Sequence, residues 1–177
     1  MRRRPIRAPR SALAGVIALL LGSVHASAFD QRYPELLRLA LACPEAPWVR
    51  KDGGNTITSS TTYSFVDEGR NFSIVSEQTY SVTGVKSKIT KERNIASGSY
   101  ADIVSADTEG NEFDVKCKNE ADCITMKMVS NCEFTDCKEG NVFDVVGKTF
   151  GAGAVLCDEE SAKNAKAAFE LLMRERR

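Results

Sequence analysis

Six cysteines constrain this chain more than any other feature: Cys43, Cys117, Cys123, Cys132, Cys137 and Cys157, even in number and all downstream of a cationic, apolar leader. Such a set reads as three disulfides formed in an oxidising compartment. Local loop geometry favours Cys117 with Cys123, Cys132 with Cys137, and Cys43 with Cys157. The first two close short loops around Lys118–Asp122 and Glu133–Asp136, and the third ties the two ends of the domain together. In chain-entropy reasoning the longest closed loop stabilises most, roughly 4–5 kcal/mol before native strain is subtracted. Thiolates also bind zinc, but the chain has no C-x2-C pair and its one histidine, His25, lies in the leader. No metal site and no cofactor are therefore expected.

The leader sets the compartment. Arg2, Arg3, Arg4, Arg7 and Arg10 form a cationic start, Leu13–Val24 is an apolar stretch, and Ala26-Ser27-Ala28 fits the small-x-small cleavage pattern. Residues 1–28 are read as a signal peptide, with Phe29 the expected mature start. The apolar run is shorter than the ~20 residues of a membrane span, and no later segment approaches that length. The expected location is periplasmic or secreted, with no transmembrane segment once the signal is removed.

Charge excludes some partners. The chain has 24 Lys plus Arg and 24 Asp plus Glu, but residues 1–28 hold five Arg and no acid, which leaves 19 against 24, or minus five, from Phe29 onward. An acidic balance disfavours phosphate-backbone binding, so no nucleic acid is expected as a partner. Without a histidine the mature chain also lacks the usual base of Ser and Cys hydrolases, and no S-x-x-K motif supplies a lysine in its place.

The hydrophobic pattern divides the chain into 29–54, a helix and linker, and 55–177, a disulfide-braced β domain. A helix is expected over Pro34–Ala42, with Leu36, Leu37, Ala40 and Leu41 as its apolar stripe and Pro44 as its stop. Lys51–Asn55 has turn composition and reads as linker. Alternation then predicts strands over Thr56–Val66 and Phe72–Val82, joined at Asp67-Glu68-Gly69-Arg70. Val85–Ile95 reads as a polar edge strand guarded by Lys86, Lys88 and Lys91. Tyr100–Ala106, Glu112–Cys117 and Cys123–Val129 read as strands, the last two as a hairpin, with Asn141–Val146 and Gly151–Cys157 as a final strand or bulged pair. After Asp158, Glu159 and Glu160, the apolar series Ala162, Ala165, Phe169, Leu172 and Met173 predicts a helix ending in Arg174, Arg176 and Arg177.

The implied class is α+β: a bent antiparallel β-sheet or barrel of about seven strands, with an N-terminal helix and a C-terminal capping helix. This order of hairpins, Asp67–Arg70 and Cys117–Cys123, followed by the closing run Asp158–Arg177, resembles the pleckstrin-homology-like fold of small exported bacterial proteins. The resemblance covers about residues 55–177 and implies a binding or scaffolding module; the extra cysteines and the N-terminal helix depart from its plain pattern.

Few constellations suggest chemistry. Asp102, Asp107, Glu109, Glu112 and Asp114 form an acidic cluster without the spacing of a calcium loop, which fits solvated strand faces. Gly151-Ala152-Gly153-Ala154 lacks the third glycine of a phosphate cradle and fits close backbone packing or a bulge. Asn71-Phe72-Ser73 is a glycosylation sequon, Trp48 fits the edge of a core, and the terminal arginines fit a solvated helix end. The leading expectation is a non-catalytic exported binding or scaffolding protein whose partner is a protein or envelope component. One alternative is an inhibitor of extracellular hydrolases that presents Ser130–Gly140. The other is an enzyme using carboxylates such as Asp102 and Glu112.

Overall fold

The computed structural model describes residues 32–84, 87–133 and 143–177. The expected signal peptide, the Cys132–Cys137 pairing and residues 134–140 of the expected inhibitory loop lie outside the described residues. The first helix, α1, spans residues 32–41. Leu37, Ala40 and Leu41, at i, i+3 and i+4, form its buried face, whereas Leu36 sits on the flank and is exposed. Beyond its end, Cys43 is bonded to Cys157 with Cα atoms 5.3 Å apart, the Cys157 N–H donates to the Cys43 carbonyl at 2.7 Å, and Pro44 bridges to Leu156.

The expected linker Lys51–Asn55 is a hairpin turn whose ends lie in strands. Trp48–Asp52 forms β1 and pairs antiparallel with β2, Asn55–Glu68, through a two-residue turn at Gly53 and Gly54. Both glycines have positive φ, 54° and 84°, the backbone that tight hairpins require. The polarity that suggested a loop belongs to a strand whose residues are all exposed. A second turn at Gly69 and Arg70 leads to β3, Asn71–Thr83, which pairs along the whole length of β2.

The next strand, β4, spans Lys88–Ser99 and lies between β3 and β7 (Ile124–Glu133). It is therefore an interior strand and not the predicted edge. Lys91 marks an open face, and an open face and an open edge leave the same polar signature in a sequence.

Tyr100–Asp102 forms a 3-10 turn, and β5, Ile103–Glu109, pairs with β6, Glu112–Cys117. The predicted β6–β7 hairpin does not form. A second 3-10 turn, Lys118–Glu120, with Asn119 and Glu120 at φ 56° and 53°, sends the chain into the other sheet. The Cys117–Cys123 bond, with Cα atoms 5.7 Å apart, spans that crossing. A disulfide needs this proximity but not a shared ladder. Likewise β8, Phe143–Thr149, pairs with β7, and β9, Gly151–Val155, pairs with β6, so the last two strands separate at Phe150.

The described strands number nine and form two sheets, β1-β2-β3-β4-β7-β8 and β5-β6-β9. The class is α+β, with bent antiparallel sheets between an N-terminal and a C-terminal helix. The larger sheet has β1 and β8 as its edges among the described residues, which is the arrangement of a bent sheet. Two disulfides point to an oxidising, extracytoplasmic compartment. No described helix is long and apolar enough to cross a membrane.

Helix α2, Glu159–Arg176, joins the layers. Asp158 caps it by accepting the Ser161 N–H at 2.7 Å, and Glu159 and Glu160 add negative charge at the positive end of the dipole. Its buried face is Ala162, Ala165, Ala168, Phe169, Leu172 and Met173. The Phe169 ring meets Phe72 edge-on at 5.0 Å, Tyr100 at 5.6 Å, Phe113 at 6.0 Å and Phe65 at 6.5 Å. These partners come from both sheets and the turn between them.

The end of α2 is fastened, and the terminal arginines are not all solvated as expected. Arg176 donates to Asp67 Oδ2 at 2.8 Å, while the Tyr100 hydroxyl donates to Asp67 Oδ1 at 3.0 Å. Burial, and then the Asp67 charge, push the Tyr100 hydroxyl well above the ordinary tyrosine range. Arg177 donates to the carbonyls of Tyr100 and Ile103.

Phe169→Ala is expected to lower the unfolding free energy by about 3–5 kcal/mol. Phe150→Ala, at a side chain 62% exposed, should cost less than about 0.5 kcal/mol. Urea denaturation of both variants measures the difference.

Candidate functional site

The acidic cluster does not converge. In the β5–β6 register Asp107 faces Asp114 and Glu109 faces Glu112, whereas Asp102 precedes the opposite end of the hairpin. At about 3.3 Å per residue, the backbones of Asp102 and Glu112 are roughly 20 Å apart, so these two carboxylates share no site. Asp107 is held locally: Ser105 Oγ donates at 3.0 Å, Lys116 Nζ lies at 3.1 Å and Lys166 Nζ at 4.0 Å. The hydrogen bonds from Lys116 and Ser105 hold its carboxyl below the usual range. Among the described residues no His/Cys/Asp/Glu group could hold a metal ion.

Other residues singled out by sequence are scattered. Trp48 is half-exposed on the edge strand β1 and does not cover the core as expected. Asn71 is exposed at the start of β3, while Ser73 is buried against Ser97, with hydroxyl oxygens 2.8 Å apart. Of the candidate inhibitory loop, residues 130–133 belong to β7. The Gly-Ala-Gly-Ala run is β9, and there the glycines serve close packing: a Cβ on Gly153 would lie 2.4 Å from the Phe113 carbonyl oxygen and one on Gly151 2.8 Å from that of Val115.

What the fold does assemble is an open face. Phe65, Phe72, Ile74 and Ala96 turn one side of the larger sheet to the core. The opposite side carries rows fixed by the strand register. One row reads Ser60, Thr79, Lys91; the next Thr62, Glu77, Arg93, Val129; the next Ser64, Val75, Ile95, Lys127. Ser73 and Val75 are buried within this face, but Thr62, Ser64, Glu77, Lys91, Arg93 and Lys127 are exposed. A groove of about 550 Å³ crosses the rows, with Ile95 and Val129 in its lining beside Lys91, Arg93, Lys127, Glu77 and Glu92. Arg93 Nε stands 3.5 Å from Glu77 Oε1, with both side chains more than half exposed.

Two other hollows exist. One of about 190 Å³ lies between the sheets, where β9 approaches β3, β4 and β7. The other, of about 600 Å³, lies beside Val104, Phe150 and the Cys117–Cys123 turn. Of these three hollows, the outer groove combines several cations and hydroxyls on one sheet surface, which suits it to hold a partner rich in acceptor oxygens. Sequence alternation revealed the hydroxyl side of β2, but the cationic column needed the order of β3, β4 and β7. Comparison with protein families, with characterised proteins and with solved structures finds no match to this chain.

The lowered carboxyl of Asp107 sets the sign of a pH effect. A carboxylate depressed on folding contributes stability above its unfolded pKa, about 3.9, and loses that contribution as pH falls through the folded value. Because both side chains are largely exposed, the Lys116 pair is worth only about 0.2–1 kcal/mol. Lys116→Met should raise the Asp107 titration midpoint toward the ordinary carboxylate range, as followed by carboxyl carbon NMR.

Proposed function

We propose that this chain is an exported, non-catalytic binding or scaffolding protein that docks an acidic protein surface of the cell envelope on the open face of its larger sheet. The observation that carries the reading is the register itself, which places Lys91, Arg93 and Lys127 beside the hydroxyls of Ser60, Thr62 and Thr79 on a groove-bearing face. The chain from Phe29 onward is acidic, whereas the groove lining holds Lys91, Arg93 and Lys127 against Glu77 and Glu92, a local cationic excess that favours an acidic partner by charge complementarity. Donor groups on short strand side chains lose little freedom on binding, and the backbone beneath them is held by paired strands on both sides.

In this reading the basic, apolar leader is removed after Ala28 and the mature chain works in the periplasm or outside the cell. The element order that resembles the pleckstrin-homology-like modules supports the same class of role. Asp102 and Glu112 lie too far apart to act as a catalytic pair, and the groove presents charges and hydroxyls for contact.

Lys91→Glu/Arg93→Glu is expected to lose its envelope partner, whereas Lys163→Glu/Arg174→Glu on α2 should keep it. Chemical crosslinking in the native envelope fraction, with partner recovery quantified by mass spectrometry, reads the outcome. Recovery should fall at least tenfold in the sheet variant at an unchanged unfolding midpoint. Equal recovery from both variants, or no acidic protein recovered at all, would overturn the proposal.

A further inference from the structure

The cleft between the sheets presents an open strand edge. In the β6–β9 register Phe113 faces Ala154 and Val115 faces Ala152. The flanking bonds, Cys117 N–H to the Phe150 carbonyl at 2.8 Å and Leu156 N–H to the Asn111 carbonyl at 2.9 Å, fix which residues exchange bonds across the ladder. Residues 150, 152, 154 and 156 therefore point their main-chain groups at β6, and Gly151, Gly153 and Val155 point theirs at the outer edge.

Most of that edge is already engaged. The Val155 N–H donates to the Tyr63 hydroxyl at 3.1 Å, its carbonyl accepts from the Glu45 N–H at 3.1 Å, and the Gly151 N–H reaches Thr149 Oγ1 at 3.5 Å. Gly153 stands between them, and its outward N–H and C=O make no such bond among the described residues. A side chain there would meet the Phe113 carbonyl oxygen 2.4 Å from where a Cβ would be, so this exposed strand residue stays glycine.

The same cleft is lined by Ser76 and Asn94, paired neighbours on the larger sheet, and by a floor of Ile74, Ala96 and Met126, the next row on that face. We infer that this cleft receives a short extended peptide segment, one residue of which exchanges both main-chain hydrogen bonds with Gly153 while a small apolar side chain rests on the Ile74–Ala96–Met126 floor. One donor and one acceptor on the same strand residue form the pattern a peptide backbone completes. The volume of about 190 Å³ is below the ~300–1,000 Å³ typical of cofactor and drug-sized pockets and suits a single residue with its flanking amides. This site is distinct from the outer groove and does not depend on it.

The probe is acetyl-Thr-Val-Thr-amide, titrated into the exported chain and followed by amide NMR. Shifts should concentrate at Ala152, Gly153, Ala154 and the Asn94 side-chain amide. A series N-methylated at each amide in turn keeps the side chains and removes one donor at a time, and one member should bind at least tenfold more weakly. Ala96→Leu, which fills the floor, should abolish the shifts, and Asn94→Leu supplies a second block should the first variant unfold. Equal affinity across the N-methyl series, or no response at Gly153, overturns the inference. Shifts confined to Lys91, Arg93 and Lys127 would overturn it as well while leaving the outer-face proposal standing.

Discussion

Every layer of this protein meets at the Phe169 ring. Phe65 and Phe72 reach it from the larger sheet, Phe113 from the smaller, and Tyr100 from the turn between them. A sheet with one apolar face must bury that face against another layer, whether it has three strands or six. Helix α2 gives both the same cover. The buried Asp67–Arg176–Tyr100 cluster then fastens the far end of the helix to the β2–β3 hairpin, while Asp158 and the Cys43–Cys157 bond secure its start. The cluster is costly to desolvate, and it holds because each Asp67 oxygen has a donor.

That arrangement decides which surfaces remain for function. The larger sheet spends its apolar side on α2 and the smaller sheet, so its other side is left with the hydroxyls and charges that alternation requires. The smaller sheet spends one edge of β6 on β5 and the other on β9, which leaves Gly153 on the far edge of β9 without a strand partner among the described residues. Both candidate binding surfaces are thus by-products of how the core is closed. Glycine at 151 and 153 serves packing first, and bares the backbone as a consequence.

The sequence showed the fold unevenly, for physical reasons. Helix α2 was readable because capping, dipole charges and a 3.6-residue apolar period coincide within one segment. The β2–β3 hairpin was readable because alternation runs through both strands and Gly69 marks the turn. Strand β1 leaves no signal, since an exposed edge strand carries no apolar alternation to detect, and only the turn after it, at Gly53-Gly54, shows in the composition. The division into two sheets was missed because β6 with β7, and β8 with β9, are neighbours in sequence but not in pairing. Pairing is settled by distant strands. The cysteine spacing correctly marked where the chain comes close to itself at 117 and 123, yet it could not say that the two strands belong to different sheets. As for the candidate site, the hydroxyl column of β2 was visible in the sequence, while the cationic rows and the inter-sheet cleft depend on register among β3, β4, β7 and β9.

The central claim is that α2, through Phe169, makes the two sheets a single cooperative unit. Native-state hydrogen exchange on the intact chain measures this directly by comparing the opening free energies of core amides in β3, in β6 and along Ala165–Leu172. The account predicts one shared value for all three, lost together as denaturant is added. A β5–β6–β9 sheet that opens at clearly lower free energy than β2–β3–β4, with α2 still protected, would contradict it.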